Sequence, residues 1–154
     1  MGFHTASGTK IFIGGKGALA AETGWVEIGE VEDLGEFGRK YNKIEVKSLG
    51  NRGIRKAKSS FDDGSIRLKI HADADDLGQD ALATAVDDDD AYNFKIEEND
   101  AGDGVGATPT TSKFRAKVMG MPKSVGSGDS VVDFTVELEI DSGTLVVTAA
   151  TAGT

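Results

Sequence analysis

The stretch VVDFTVELEID, residues 131–141, alternates apolar and polar side chains without a break from Val132 onward. Val132, Phe134, Val136, Leu138 and Ile140 point one way while Asp133, Thr135, Glu137, Glu139 and Asp141 point the other, the two-residue period of a strand with one packed and one wet face. DDGSIRLKIHAD, residues 62–73, repeats the pattern, with Ile66, Leu68 and Ile70 against Arg67, Lys69 and His71. Half-polar strands of this kind indicate an antiparallel sheet, because parallel sheets are covered on both faces and read as continuous apolar runs.

Outward from these two, further short strands are expected. TKIFIGG (9–15) alternates around Ile11 and Ile13 and ends on paired glycines. GWVEIGEVEDLG (24–35) supplies Trp25, Val26, Ile28 and Val31 as the apolar set of a second strand. AYNFKIE (91–97), KFRAKVMGM (113–121) and TLVVT (144–148) complete the series. The period changes only in DADDLGQDALATAVDD (73–88), where Leu77, Ala81, Leu82, Ala85 and Val86 recur at helical offsets, with Asp73, Asp75 and Asp76 at the end where the helix dipole favours anions. Several strands, one helix and no βαβ rhythm predict a mainly β fold, an antiparallel sandwich or barrel with one flanking α-helix.

The chain has 154 residues, the size of one domain, with 21 glycines and only two prolines, so the glycines punctuate strands rather than mark a collagenous or proline-rich segment. With no cysteine, disulfides, thiol nucleophiles, zinc ribbons and iron–sulfur clusters drop out. No basic region followed by an apolar run opens the chain, no stretch approaches the roughly 20 apolar residues of a membrane span, and Ala6 stands where a myristoylation site needs Ser or Thr. A soluble product that avoids the membrane is expected.

Net charge is −9, unevenly distributed. Arg39, Lys40, Lys43, Lys47, Arg52, Arg55, Lys56 and Lys58 face only Glu45 within FGRKYNKIEVKSLGNRGIRKAKSSF (37–61), giving that segment +7 and leaving −16 for the rest. Its alternation is weak and its apolar residues are few, so it reads as a long extended arm of two strands turning near Gly50, Asn51 and Gly53. The chain divides as a single domain over 1–154, with a core at about 9–36 and 61–148, an arm at about 37–60 and a flexible tail at 149–154.

The acidic runs invite a calcium reading, but their spacing refuses it. An EF-hand loop begun at Asp73 puts Leu77 at position 5 and Thr84 at position 12, and one begun at Asp87 puts Tyr92 where glycine must turn. Asp87 to Asp90 oppose the dipole at the helix C-terminus, so they are a solvated stop, a repulsive patch or a docking surface for the cationic arm. His4 lies near the terminus and His71 continues a polar strand face, which leaves no imidazole base in a catalytic setting. Glu137 and Glu139 have a spacing that glycosidase acids can share, yet nothing marks a sugar cleft. GDGVGA (102–107) lacks a Lys-Ser/Thr signature and sits among acids, so it is a loop rather than a phosphate cradle. No enzyme, cofactor or metal is expected.

WVEIGEVEDLGEF, the arm GRKYNKIEVKSLGNRGIRKAKS, DGSIRLKI, the helix DLGQDALATA, YNFKIE, FRAKVMGM and DSVVDFTVELEIDSG follow in an order that resembles the major tail tube proteins of long-tailed bacteriophages, over about residues 25–143. The most telling elements are GQDALATA followed directly by YNFKI, and the closing strand VVDFTVELEI. Contractile tail tubes and the type VI secretion tube look similar in fold.

The resemblance implies a sandwich or barrel with a flanking helix, six copies closing into a ring, and rings stacking into the tube through which DNA leaves the virion. It implies that the arm bridges to a neighbouring subunit or ring, that other partners are tape measure, terminator and tail-tip proteins, and that the tail is assembled in the host cytoplasm. DNA would pass without specific binding, so a conduit should carry negative charge, and Asp133, Glu137 and Glu139, together on the side of their strand away from the core, are the candidate lumen face. An acidic β-barrel using its basic arm to bind nucleic acid or a protein ligand is the rival reading.

Overall fold

The computed structural model describes residues 2–153. Eleven strands and one α-helix follow one another: β1 Lys10–Ile13, β2 Val26–Ile28, β3 Val31–Asp33, β4 Lys40–Ser48, β5 Asn51–Asp62, β6 Ser65–His71, α1 Leu77–Val86, β7 Tyr92–Glu97, β8 Thr111–Gly120, β9 Lys123–Ser124, β10 Asp133–Ile140 and β11 Val146–Thr148. The fold is mainly β and antiparallel, curled into a partial barrel with the helix on its flank.

Nine strands form one sheet in the order β2-β1-β7-β8-β10-β6-β3, with β11 on β8 and β9 on β10. Its first and last members are consecutive in the chain: β2 pairs with β1 and β3 with β6, and only Gly29 and Glu30 separate them. The segment read from sequence as one strand is therefore two, bent at a corner where Glu30 adopts φ 59°. Trp25 lies outside the core because Val26 and Ile28 take the inward positions of β2. It follows the side opposite Val26, where Lys95 reaches over both its ring and that of Phe12, at 5.1 and 4.6 Å from the centroids.

The core is assembled from alternate residues of each strand. Ile66, Leu68 and Ile70 of β6 face inward with Val136, Leu138 and Ile140 of β10, and the register Phe134↔Ile70, Val136↔Leu68, Leu138↔Ile66 aligns the two apolar sets. Phe94 stacks on Phe114 with centroids 5.7 Å apart, and Phe37 joins at 6.1 Å, so the first residue of the expected arm segment belongs to the core. Opposite Glu137 and Leu138 the register on β8 shifts by a bulge, and the chain passes through Met121 and Pro122 before β9 resumes pairing with β10. Val132 precedes β10 and Phe134 is half-buried, so the inward face is fully covered only from Val136 onward.

Asp76 caps α1 by accepting from the Gln79 amide at 2.9 Å, and the same carboxylate accepts from the Gly29 amide at 3.1 Å, so one side chain starts the helix and holds the corner. Gln79 adds a second clamp: its amide nitrogen donates to the His71 carbonyl at 2.8 Å and its oxygen accepts from the Asp73 amide at 2.9 Å. Gly78 lies directly against the backbone of β2, where any Cβ would collide with the Glu27 carbonyl and Ile28 Cα. The buried helix face is Gly78, Gln79, Leu82 and Ala85. Leu77, expected in the core, is exposed because this close approach turns the second residue of the helix, not the first, toward the sheet.

Candidate functional site

The arm is a hairpin of β4 and β5 whose strands pair only with each other. Every one of its residues from Lys40 to Asp62 is exposed. It turns through Leu49 and Gly50, and the register shifts twice: between Tyr41↔Phe61 and Lys43↔Lys58, which leaves Ser59 as the extra residue of a bulge, and again between Val46↔Arg55 and Ser48↔Asn51 near the tip.

Cross-strand partners share a side, so the register sorts the arm into two faces. Lys43, Lys47, Lys56 and Lys58 lie on one, with Glu45 and Ile54. Ile44, Val46 and Ala57 lie on the other, with Arg55 opposite Val46. Ile44 is 48% and Val46 46% exposed, so this apolar face has nothing packed on it. Charge count alone concealed it; the signal in the sequence was the spacing of Ile44 and Val46, two residues apart.

Of the expected arm cations, Arg39 is committed to the root. Its Nε donates to Asp63 Oδ1 at 2.8 Å, and its guanidinium lies 4.0 Å from the Phe61 ring centroid. Asp63 is fully buried, and its second oxygen accepts from the Gly143 amide at 2.7 Å. The Arg39 hydrogen bond holds the Asp63 carboxyl below the usual range and raises the guanidinium in turn. Neither residue's neighbours in sequence advertised the pair. Lys40 pairs in register with Asp62, Lys43 bridges to Glu45 at 2.9 Å, and Lys58 covers Tyr41 at 4.8 Å. Lys47, Arg52, Arg55 and Lys56 make no ion pair among the described residues.

Asp133, Glu137 and Glu139 do share the face of β10 away from the core, but they alternate with cations. Arg67 reaches Glu137 at 3.0 Å, Lys69 lies 3.7 Å from Asp133 and 3.0 Å from Glu32, and Lys117 is the register partner of Glu139. The face is a checkerboard of charge. Strand-by-strand reading missed this because the compensating side chains come from β6 and β8.

The acidic runs are largely structural at their centres. Lys16 bridges Asp88 at 2.8 Å and Asp90 at 3.2 Å, and the Tyr92 hydroxyl donates to Asp88 at 2.8 Å. The hydrogen bond from Lys16, with help from the Asp90 amide and Tyr92, lowers the Asp88 carboxyl to about 2. Among the described residues no group of three or more His, Asp or Glu side chains is placed to hold a metal ion.

The chain is thus an antiparallel, partly closed barrel with one flanking helix and a free-standing hairpin. No protein-family model matches the sequence, and no curated protein matches it. Among solved structures, the chain is similar to a subunit of the anti-feeding prophage baseplate, solved 6-fold symmetrised, with a TM-score of 0.72 over 97% of this chain and 98% of that one at 12% identity. It is also similar to a chain in the tail of an empty GTA particle, solved with C6 symmetry, at TM-score 0.68 and 14% identity over 96% and 100% of the two chains. Against the SPP1 tail tube the TM-score is 0.65, at 13% identity, over 92% of this chain and 77% of that one. At such identities what is shared is the fold.

Proposed function

We propose that this chain is a non-enzymatic structural subunit of a tail tube, six copies to a ring, the rings stacking into a conduit for DNA ejection. Its place is then the virion tail, put together in the host cytoplasm, with itself as chief partner and tape measure, terminator and tail-tip proteins at the tube's length and ends. One observation supports the reading: a long hairpin with an uncovered apolar face stands off a body whose fold, over nearly its whole length, is similar to chains of the GTA tail and the SPP1 tail tube. A two-stranded ribbon is at best marginally stable alone in water, so such an arm gains order by docking on another molecule. The carboxylates Asp133, Glu137 and Glu139 line the bore in this proposal, with Arg67, Lys69 and Lys117 tempering their charge.

Negative-stain microscopy of concentrated protein tests the proposal. Rings or tubes of uniform width are expected, and a protein that stays monomeric at every concentration would end it. The cationic arm face, with Lys43, Lys47, Lys56 and Lys58 side by side, favours one rival, a monomeric module gripping nucleic acid. Four phosphate contacts would give that module a log–log salt slope of about −3 to −4, a dependence readily seen in a binding titration.

A further inference from the structure

A groove of about 570 Å³ runs between the outer flank of α1 and the β9–β10 edge. Ala72, Ala83, Val86, Met121, Val132 and Phe134 give it an apolar lining, and Asp73, Asp80 and Asp87 stand along it. Lys123 is the one cation among the lining residues, its ammonium 5.5 Å from the Phe134 ring centroid. None of the three aspartates makes an ion pair among the described residues.

We infer that this groove receives the arm of a second copy, with Ile44 and Val46 on its apolar floor and Arg55, on the same face of the arm, against Asp80 and Asp87. The inference rests on the assembly reading proposed above and names the receptor that the reading requires. Chemistry is the first argument. The arm offers an aliphatic stripe with the unpaired Arg55 on the same face, and the groove offers an apolar floor flanked by unpaired carboxylates, so each supplies what the other lacks.

Position is the second. The arm leaves the body at Asp62–Gly64, beside the Ser65 end of β6, whereas the groove opens beyond His71 at the other end. Those ends are about 20 Å apart at ~3.3 Å per residue. The chain's own arm leaves Ile44 and Val46 exposed, so it does not occupy its own groove. A projection at one end and its receptor at the opposite end make a heterologous contact, which propagates instead of closing into a two-fold dimer.

The chain has no cysteine, so two labelled populations test the contact cleanly. Val46→Cys and Ala83→Cys both change exposed positions. The two are mixed, allowed to assemble and treated with a short bis-maleimide. The expected product is a cross-linked pair containing one of each, formed in the assembled sample and absent from dilute protein. In parallel, Asp80→Lys with Asp87→Lys should raise the critical concentration for assembly about tenfold or more, and adding Arg55→Glu to that chain should bring most of it back. Tubes that form without the mixed cross-link, or aspartate-reversed protein that assembles at the parental concentration, would overturn the groove assignment while leaving the tube proposal standing. A parent protein that forms neither rings nor tubes would remove both.

Discussion

Replacing Ile44 and Val46 together with serine isolates the apolar face of the arm from its charge. Fully burying an aliphatic side chain is worth about 1.5–3 kcal/mol. Ile44 and Val46 keep 48% and 46% of their surface exposed, so about half of that, roughly 1 kcal/mol each, is still to be gained when a neighbour covers them. The pair then contributes about 2 kcal/mol per docked arm, which corresponds to a rise of about 30-fold in the critical concentration. The melting of the free subunit should hardly move, because the two side chains touch nothing in the core. Pelleting assays over a concentration series, alongside thermal unfolding, read both quantities. A critical concentration within threefold of the parent's would refute the reasoning, since the apolar face would then remain uncovered in the assembly.

Reversing the arm's charge with Arg52→Glu, Arg55→Glu and Lys56→Glu should leave the subunit folded by circular dichroism and stop tube growth seen by microscopy, because exposed substitutions cost little stability. Gly78→Val should destabilise the fold by about 1–3 kcal/mol in urea unfolding, the cost of forcing a side chain between α1 and the backbone of β2. Asp88 is held near 2, below its ordinary value, so its stabilising contribution is complete above about pH 4 and is lost as pH falls through 2; Asp88→Asn should flatten the stability–pH curve in that window. Asp133→Lys, Glu137→Lys and Glu139→Lys together join an already cationic row of Arg67, Lys69 and Lys117, so any tube they form should retain DNA in a co-sedimentation assay.

The core was legible wherever one strand had one wet face, because a period of two assigns inside and outside residue by residue. Ile66, Leu68, Ile70, Val136, Leu138, Ile140, Phe94 and Phe114 all face inward as their alternation requires. Residues at element boundaries were less legible. Leu77 and Trp25 are apolar, and nothing local says that a helix will lie on the sheet through Gly78 or which of the adjacent apolar residues Trp25 and Val26 will face inward. On the arm, the excess of lysine and arginine was plain, whereas its sorting into two faces needs the cross-strand register, which a bulge at Ser59 resets. The Arg39–Asp63 pair spans 24 positions and the Gly143 contact 80, distances over which pattern carries no information. The checkerboard around Glu137 is hidden for the same reason.

Asp63 sits where the hairpin joins the barrel, wholly enclosed and held from two sides by Arg39 and by the backbone at Gly143. A ribbon clamped at its base and free beyond it behaves as a cantilever. In a filament of such subunits, bending would be taken up along the compliant hairpins between one barrel and the next, while the curled nine-stranded sheet transmits load with little change of shape. Flexural stiffness would then depend on the base clamp, and weakening Asp63 would soften the filament before it unfolded the subunit.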